Sequence, residues 1–408
     1  MTGAANYDVL IVGGGLVGAS LAVALGRQNC RVALIEAHSF GSVSQPSYDD
    51  RSIALAYGSM RIFESMGLWA AIGQSATPIA RIHISNRGHF GITRLSAEDA
   101  GTSALGYVAE SRLMGQALMA ALDGLPSIEL FAPARLERLD VLSQHVVARV
   151  TGEMGTNEIS APLLVAADGQ DSTVRQVLGI TAARADYDQA AVIANVTPEY
   201  SHGNVAYERF TDSGPLALLP LSENRCSLVW TVAPQAVDGL LGCPDDVFLT
   251  RLGERFGRRL GKFVKVGVRS SYRLALTRAL AQVGPRVALI GNAAHTLHPV
   301  AGQGFNLGIR DVAALSHLLI DARSQGRDVG DEDLLKAYAA WRRADHATVI
   351  RFTDVLARVF ANRFGPVVAA RNVGLLLVDC LPPLKRALLK QTMGLAGTLP
   401  NLARGLAR

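Results

Sequence analysis

The sequence predicts an α/β fold: a mostly parallel sheet with glycine-rich strand-to-helix turns, joined to an antiparallel β layer and a helical carboxyl end. Three observations predict it. Near the amino terminus, Tyr7-Asp8-Val9-Leu10-Ile11-Val12 reads as a buried strand, and Gly13-Gly14-Gly15-Leu16-Val17-Gly18 leads from it into an Ala- and Leu-rich helix running to about Gly26. Two later apolar strands, Leu163 to Ala167 and Val287 to Ile290, also close on glycine, at Asp168-Gly169 and Gly291-Asn292. From about Asp186 to Leu276 the pattern changes to short β-rich runs, such as Ala190 to Val196, Leu216 to Leu219, Cys226 to Val232 and Val264 to Leu274.

The first turn has GxGxxG spacing, with Gly13 for the tight turn, Gly15 for approach of a pyrophosphate and Gly18 for close helix packing. The next strand, Arg31 to Ile35, ends in Glu36, where a carboxylate can hold an adenosine ribose. Alone, GxGxxG is a weak signal, because glycine turns also arise for steric reasons. Asp168-Gly169, followed by Ser172 and Arg175, is by itself an ordinary turn. It gains meaning as one of three strand-end glycine sites that can converge at the carboxyl edge of one sheet, where open α/β folds bind ligands.

The richest stretch runs from His298 to Asp311 and sets Pro299, Gly302, Gln303, Gly304, Asn306 and Gly308 at the mouth of an apolar helix. Phe305, Leu307, Ile309, Val312, Leu315, Leu318 and Leu319 carry the helical period. Such a crossing aims unpaired backbone N–H groups and the positive end of a helix dipole at whatever binds. A reduced flavin, which gathers negative charge along its N1/C2 carbonyl edge, suits that seat.

The signature His-Pro-x-Ala-Gly-Gln-Gly-x-Asn-x-Gly-x-x-Asp is met from His298 to Asp311 without a gap, and the chain resembles the FAD-dependent aromatic hydroxylases, especially their ubiquinone-biosynthesis branch. Further segments resemble the polyprenyl-methoxyphenol hydroxylases: Asp50 to Ala56, Val192 to Val196, Glu208-Arg209-Phe210-Thr211, Gly214 to Pro220 and Phe360 to Arg363. The resemblance implies a Rossmann-like FAD-binding domain with an interleaved antiparallel-sheet substrate domain of the aromatic hydroxylase type and a C-terminal helical segment. The implied division is 1–185 for FAD binding with a substrate-side insertion near 75–110, 186–276 for substrate, 277–345 for the second FAD-binding part and 346–408 for the helical region.

By the same resemblance, Gly13, Gly15 and Gly18 meet the FAD pyrophosphate and Glu36 its ribose. Arg51 sits by the diphosphate, with Arg112 as a second arginine. Asp168 and Gly169 touch both FAD and the arriving nicotinamide nucleotide. Asn292, where the wider superfamily has Asp, contacts the ribityl chain, and Gly302 to Asn306 line the isoalloxazine. Pro299, Gln303 and Gly304 form the catalytic loop. NAD(P)H reduces FAD, a C4a-hydroperoxide forms with dioxygen, and one oxygen atom enters the phenol ring. The implied reaction is 4-hydroxylation of 2-polyprenyl-6-methoxyphenol. Tyr207 and His298 are candidates by type for the base near the phenol. The alternatives are a sister hydroxylase acting at another ring position or on another phenol, and a noncatalytic FAD-binding subunit of a biosynthetic complex.

Composition agrees with an enzyme of this size. The 408 residues are 49% apolar and 18% charged, enough for a large core. Four cysteines without a CxxC pair suit a reducing compartment and no structural zinc. His295 and His298 lie three apart but lack an evident third ligand, so no metal is expected. The net charge of +5 is mild, and basic residues are not interleaved with aromatics as a nucleic-acid groove requires. With no secretory signal and no long apolar span, a cytoplasmic location is expected. The Lys385 to Arg408 segment carries five basic residues and no acidic one, interspersed with Leu384, Leu388, Leu389, Met393 and Leu395. It reads either as an amphipathic contact with the inner-membrane surface or with other ubiquinone-pathway proteins, or as a solvated terminal helix.

Overall fold

The computed structural model describes residues 7–39, 51–153, 155–362 and 364–405. Asp50, Arg363 and Arg408, named above, lie outside the described residues. Val9–Val12, Val32–Ile35 and Leu163–Ala166 are buried at every position, as strands of a parallel sheet covered on both faces must be. They belong to a six-stranded sheet in the order Val283–Gly284, Val287–Leu289, Leu163–Ala166, Val9–Val12, Val32–Ile35, Ile128–Phe131, in which only the first pairing is antiparallel. The helix Leu16–Gly26 is apolar all round because the sheet lies on one side and the long helix Gln303–Ser324 on another.

The second large sheet has nine strands and is centred on Ala182–Pro198, which pairs antiparallel with Cys226–Val232 on one side and with Ser270–Ala279 on the other. Two features depart from the expected run of short strands. The stretch expected as one strand from Val264 to Leu274 is broken into Phe263–Val266 and Ser270–Ala279. Within the expected β-rich stretch there is also a helix, Asp245–Phe256. Its Phe248, Leu252 and Phe256 are all but fully buried against Val192, Leu216, Leu228 and Trp230, each such side chain contributing about 1.5–3 kcal/mol of burial. Its acidic first turn, Asp245 and Asp246, complements the helix dipole.

Arg81–Asn86 and Ile92–Ser96 extend this sheet at its far edge, through parallel pairing of Arg81–Asn86 with Val205–Thr211. Successive side chains of a strand point to opposite faces, and here the two faces have different neighbours. Tyr207 joins the cluster under the Asp245–Phe256 helix. Phe210 and Ile84 instead meet Val300 and Phe360, with Phe210 stacked on Phe360 at 3.5 Å between ring centroids.

Three helices, Glu332–Ala361, Gly365–Cys380 and Pro382–Thr392, close the chain. The carboxyl segment is packed rather than solvated along most of its apolar side. Leu389 and Met393 are buried with Ile79, Leu95 and Val108, and Leu388 and Leu395 pack against that cluster. Among the described residues no single helix is long and apolar enough to cross a membrane.

Candidate active site

Three strand ends meet at one edge of the parallel sheet. Gly13 N–H donates to Ile35 O at 2.8 Å, Ala167 N–H to Val12 O at 2.7 Å and Ile290 N–H to Ala166 O at 3.0 Å, so the Gly13, Asp168 and Gly291 turns leave the sheet side by side. A Cβ on Gly13 would lie 2.5 Å from the Ala167 carbonyl, and one on Gly308 would lie 3.2 Å from Gly291 Cα. The turns are therefore in contact. Arg175 fastens two of them, donating from Nη1 to Ala293 O at 2.8 Å and from Nη2 to Gln170 O at 2.6 Å.

Glu36 lies over the first turn, its Oε2 accepting from Gly14 N at 2.7 Å and its Oε1 from His38 N at 2.9 Å. Asp168 accepts from Val174 N through Oδ2 at 3.0 Å, while Oδ1 is buried and accepts no hydrogen bond from the described residues. Burial pushes the Asp168 carboxyl above its usual range, against the lowering effect of Ser172. Asn292 stands exposed between buried Gly291 and Ala293.

The Pro299 loop is held from two sides. Val300 N–H donates to His298 Nδ1 at 3.2 Å, and His298 Nε2 lies 3.3 Å from Gln189 Oε1 on the large sheet. Asn306 accepts from Ala56 N at 2.7 Å and donates to Ala54 O at 2.8 Å and to Gly302 O at 2.7 Å. Both amide hydrogens of Asn306 are thus committed to protein carbonyls, and its part in the site is to fix Gly302 against the strand Ser52–Ala56. Gln303 is buried, donating to Thr392 O at 3.4 Å, whereas a Cβ on Gly304 would meet nothing within 4 Å. Gly304 therefore faces open space at the helix mouth.

Arg51 and Arg112 line one cleft of about 730 Å³ between the Ser52–Ala56 strand and the large sheet. Ser111 N–H donates to Arg51 O at 2.8 Å, which keeps the two arginines on neighbouring segments. Arg225 and Lys265 also line the cleft, and Glu110 lies 3.2 Å from Arg225 Nη2 and 3.9 Å from Arg112 Nη2.

A family model described as FAD binding domain matches residues 6–353. The chain is 40% identical over 412 residues to the ubiquinone hydroxylase UbiL of Rhodospirillum rubrum, covering 100% of this chain and 95% of the relative. It is 34% identical to the 3-demethoxyubiquinol 3-hydroxylase of Escherichia coli, covering 95% of this chain and 98% of that one. The chain belongs to the FAD-dependent monooxygenase family of these ubiquinone-biosynthesis hydroxylases. The human mitochondrial ubiquinone biosynthesis monooxygenase COQ6 is 30% identical over 94% of this chain and 92% of its own. The fold is that of p-nitrophenol 4-monooxygenase PnpA from Pseudomonas putida, with a TM-score of 0.81 at 21% identity over 96% of this chain and 98% of that one.

The cofactor of this monooxygenase is FAD, and the residues fit it. The unused Asp168 Oδ1, the open space at Gly169 and at Gly304 and the basic cleft at Arg51 are what a diphosphate-bearing flavin requires. The two base candidates are otherwise engaged. Tyr207 packs edge-on against Phe256 and His83 on the sheet face turned away from Val300. His298 uses one ring nitrogen for Val300 and the other for Gln189, which makes it a support of the Pro299 loop.

Burial depresses the His298 pKa from 6.5 to about 4, partly opposed by Asp354. Burial, aided by Arg259, does the same to His83. A histidine whose folded pKa is depressed is protonated first in the unfolded chain, so its contribution to stability is lost as pH falls from 6.5 toward about 4. Each should cost up to about 3 kcal/mol over that window. Urea midpoints measured across it should fall steeply in the wild type and less steeply in His298→Gln; parallel slopes would count against this assignment.

A buried network missed by sequence reasoning supports the Gly291 turn from behind. Asp311, at 0% exposure, accepts from Gly291 N at 3.3 Å and meets His295 Nε2 at 2.9 Å, His346 Nε2 at 2.7 Å and Arg342 Nε at 2.7 Å. Burial alone would raise its pKa, but the charges of His346 and Arg342 and the imidazole hydrogen bonds hold it well below the usual carboxylate range. His295, Asp311 and His346 converge as metal ligands would. The Arg342 guanidinium on the same carboxylate places a fixed positive charge where a cation would sit, so the cluster is an ion-pair network. Arg342, Asp345 and His346 share one helical face, the only sequence signal that pointed to it.

Proposed function

We propose that this monooxygenase hydroxylates a polyprenyl phenol of ubiquinone biosynthesis, inserting one atom of dioxygen at ring position 4 of 2-polyprenyl-6-methoxyphenol. What carries the reading is the full-length likeness to the Rhodospirillum rubrum ubiquinone hydroxylase, together with the gap-free His298–Asp311 loop and its open helix mouth at Gly304. Bound FAD would supply dioxygen activation and oxygen transfer. Gly13, Gly15 and Gly18 would let the diphosphate approach the backbone, Glu36 and Asp168 would accept hydrogen bonds from its hydroxyls, and Asn292 would contact the ribityl chain. Pro299, Gln303 and Gly304 would border the reacting ring.

His298 and Asn306 hold that border in place from outside, and the Phe210–Phe360 stack beside Val300 excludes water. The cleft lined by Arg51 and Arg112 would hold the FAD diphosphate, and NAD(P)H would deliver hydride as a transient visitor. The large sheet would carry the phenol, and the parallel-sheet body the flavin. The likeness to the Escherichia coli 3-hydroxylase favours position 3 of a demethoxyubiquinol as the second reading.

Mass spectrometry of quinone precursors in cells lacking the protein separates the two. Accumulated polyprenyl-methoxyphenol, cleared when the gene is restored, supports position 4; accumulated demethoxyubiquinol supports position 3; an unchanged profile rejects both. Alanine at Gly304 strains neither backbone nor neighbours. We therefore expect Gly304→Ala to slow product formation about tenfold or more while FAD stays bound, a difference of about 1.4 kcal/mol in the barrier. Equal losses in both would make the loop a cofactor holder only.

For partners, we propose contact with the membrane surface through a strip of exposed apolar residues, Val373, Leu376, Leu377, Leu381 and Leu384, beside the exposed Arg386. Assembly with other proteins of the pathway would use the same strip. Flotation with anionic vesicles should retain the wild type and release Leu377→Asp; equal retention would remove the strip from the account.

A further inference from the structure

Within the Glu208-Arg209-Phe210-Thr211 segment, Phe210 serves the reaction outlined above, whereas Arg209 has no part in it and carries a charge that the fold leaves unanswered. Phe210 faces Val300 and Phe360, whereas Arg209 opens on the opposite face of the sheet. There a cavity of about 350 Å³ is lined by His83, Ser85, Asn86, His89, Arg209 and Arg259.

His83 is only 8% exposed, and its buried Nε2 has no hydrogen-bond partner; the buried Nε of Arg209 has none either. No carboxylate among the described residues is paired with Arg209 or Arg259, since nearby Asp212 serves Arg87 and Arg255 and Asp379 serves Arg94. Burial, together with Arg87 and Arg259, pushes the Arg209 guanidinium below its ordinary pKa. Cations crowded in a half-buried cavity without a counter-charge are unfavourable unless an anion joins them.

We propose that this cavity binds the phosphate group of a phosphate ester. The donors come from different segments: His83 and Arg209 from neighbouring strands and Arg259 from the loop after the Asp245–Phe256 helix. That arrangement matches the divergent oxygens of a tetrahedral phosphate better than a planar carboxylate, which one guanidinium satisfies in bidentate fashion. The cavity exceeds a bare phosphate in size, and Phe90, 61% exposed, and Ile92 give its rim an apolar contact for the organic part. A soluble phosphomonoester and a phospholipid headgroup share this chemistry.

Calorimetric titration of the flavin-loaded full chain with glycerol 3-phosphate and inorganic phosphate, at constant ionic strength with chloride as control, tests the site. Arg209→Gln and Arg259→Gln should each weaken binding about tenfold or more. Arg259 is exposed, so its variant keeps the test valid if Arg209→Gln fails to fold. In the wild type the His83 ring resonances should shift on titration. Phosphatidic acid vesicles added in a second arm assign the source: capture that depends on both arginines marks a lipid headgroup, and binding of the soluble ester alone marks a metabolite. Binding that is absent, or undiminished in Arg259→Gln with His83 unmoved, would overturn the proposal.

Discussion

Gly18→Ala is expected to leave a protein that folds poorly around its first turn and loses its yellow colour on purification. A Cβ at position 18 would lie 1.9 Å from the Gly13 carbonyl oxygen, and Gly13, at φ +104°, is itself wedged against the Ala167 backbone. Neither neighbour is a flexible side chain, so the turn must move as a unit and carry the Asp168 loop with it. Overpacking of this kind costs about 1–3 kcal/mol. Charged entirely to the cofactor, that is roughly a 5- to 150-fold loss of FAD affinity. Gly304→Ala is the control for overpacking, because its new methyl group meets no protein atom within 4 Å. Gly18→Ala that retains FAD as tightly as the wild type would show that the glycine-rich turn is not the flavin seat.

Asp311→Ala is expected to have the larger effect on stability. The carboxylate is the common acceptor for Gly291, His295, His346 and Arg342, and Arg342 is 3% exposed. Breaking a buried ion pair by removing one partner costs about 3–5 kcal/mol. Asp345, 2.6 Å from Arg342 Nη1, keeps part of the charge answered and places the expectation at the lower end. Arg310 Nε also lies 2.9 Å from Asp345, though not aligned as a hydrogen bond. Because the folded Asp311 pKa is depressed, its contribution is present above the ordinary carboxylate value and is lost only in strong acid. The urea midpoint at neutral pH should therefore fall, and FAD affinity with it, as the Gly291 turn loosens. An unchanged midpoint would mean that the histidines and arginines satisfy one another without the carboxylate.

The parts of the site legible in the sequence are those whose signal is local. Each strand-end turn carries its glycines within a few residues of an apolar strand, and hydrogen bonds at Gly13, Ala167 and Ile290 bring them to one edge because the strands are parallel neighbours. The Asp245–Phe256 helix was legible too, with Phe248, Leu252 and Phe256 at four-residue spacing behind two acidic residues, but strong β runs on either side obscured it. Partners far apart in the chain left no such trace. Nothing near Asp311 announces Arg342 and His346, and nothing near Arg81 announces its parallel partner Val205. Residue type alone made His298 and Tyr207 look like bases. Only packing reveals one as a loop support and the other as part of the opposite face.

The most direct test supplies the purified, FAD-loaded protein with NADPH, a short-chain polyprenyl-methoxyphenol and isotopically heavy dioxygen, and reads the product by mass spectrometry. The expected product is ring-hydroxylated and carries one heavy oxygen atom, formed in step with oxygen uptake. NADPH oxidation with the phenol returned unchanged, or a product whose new oxygen comes from water, would contradict it.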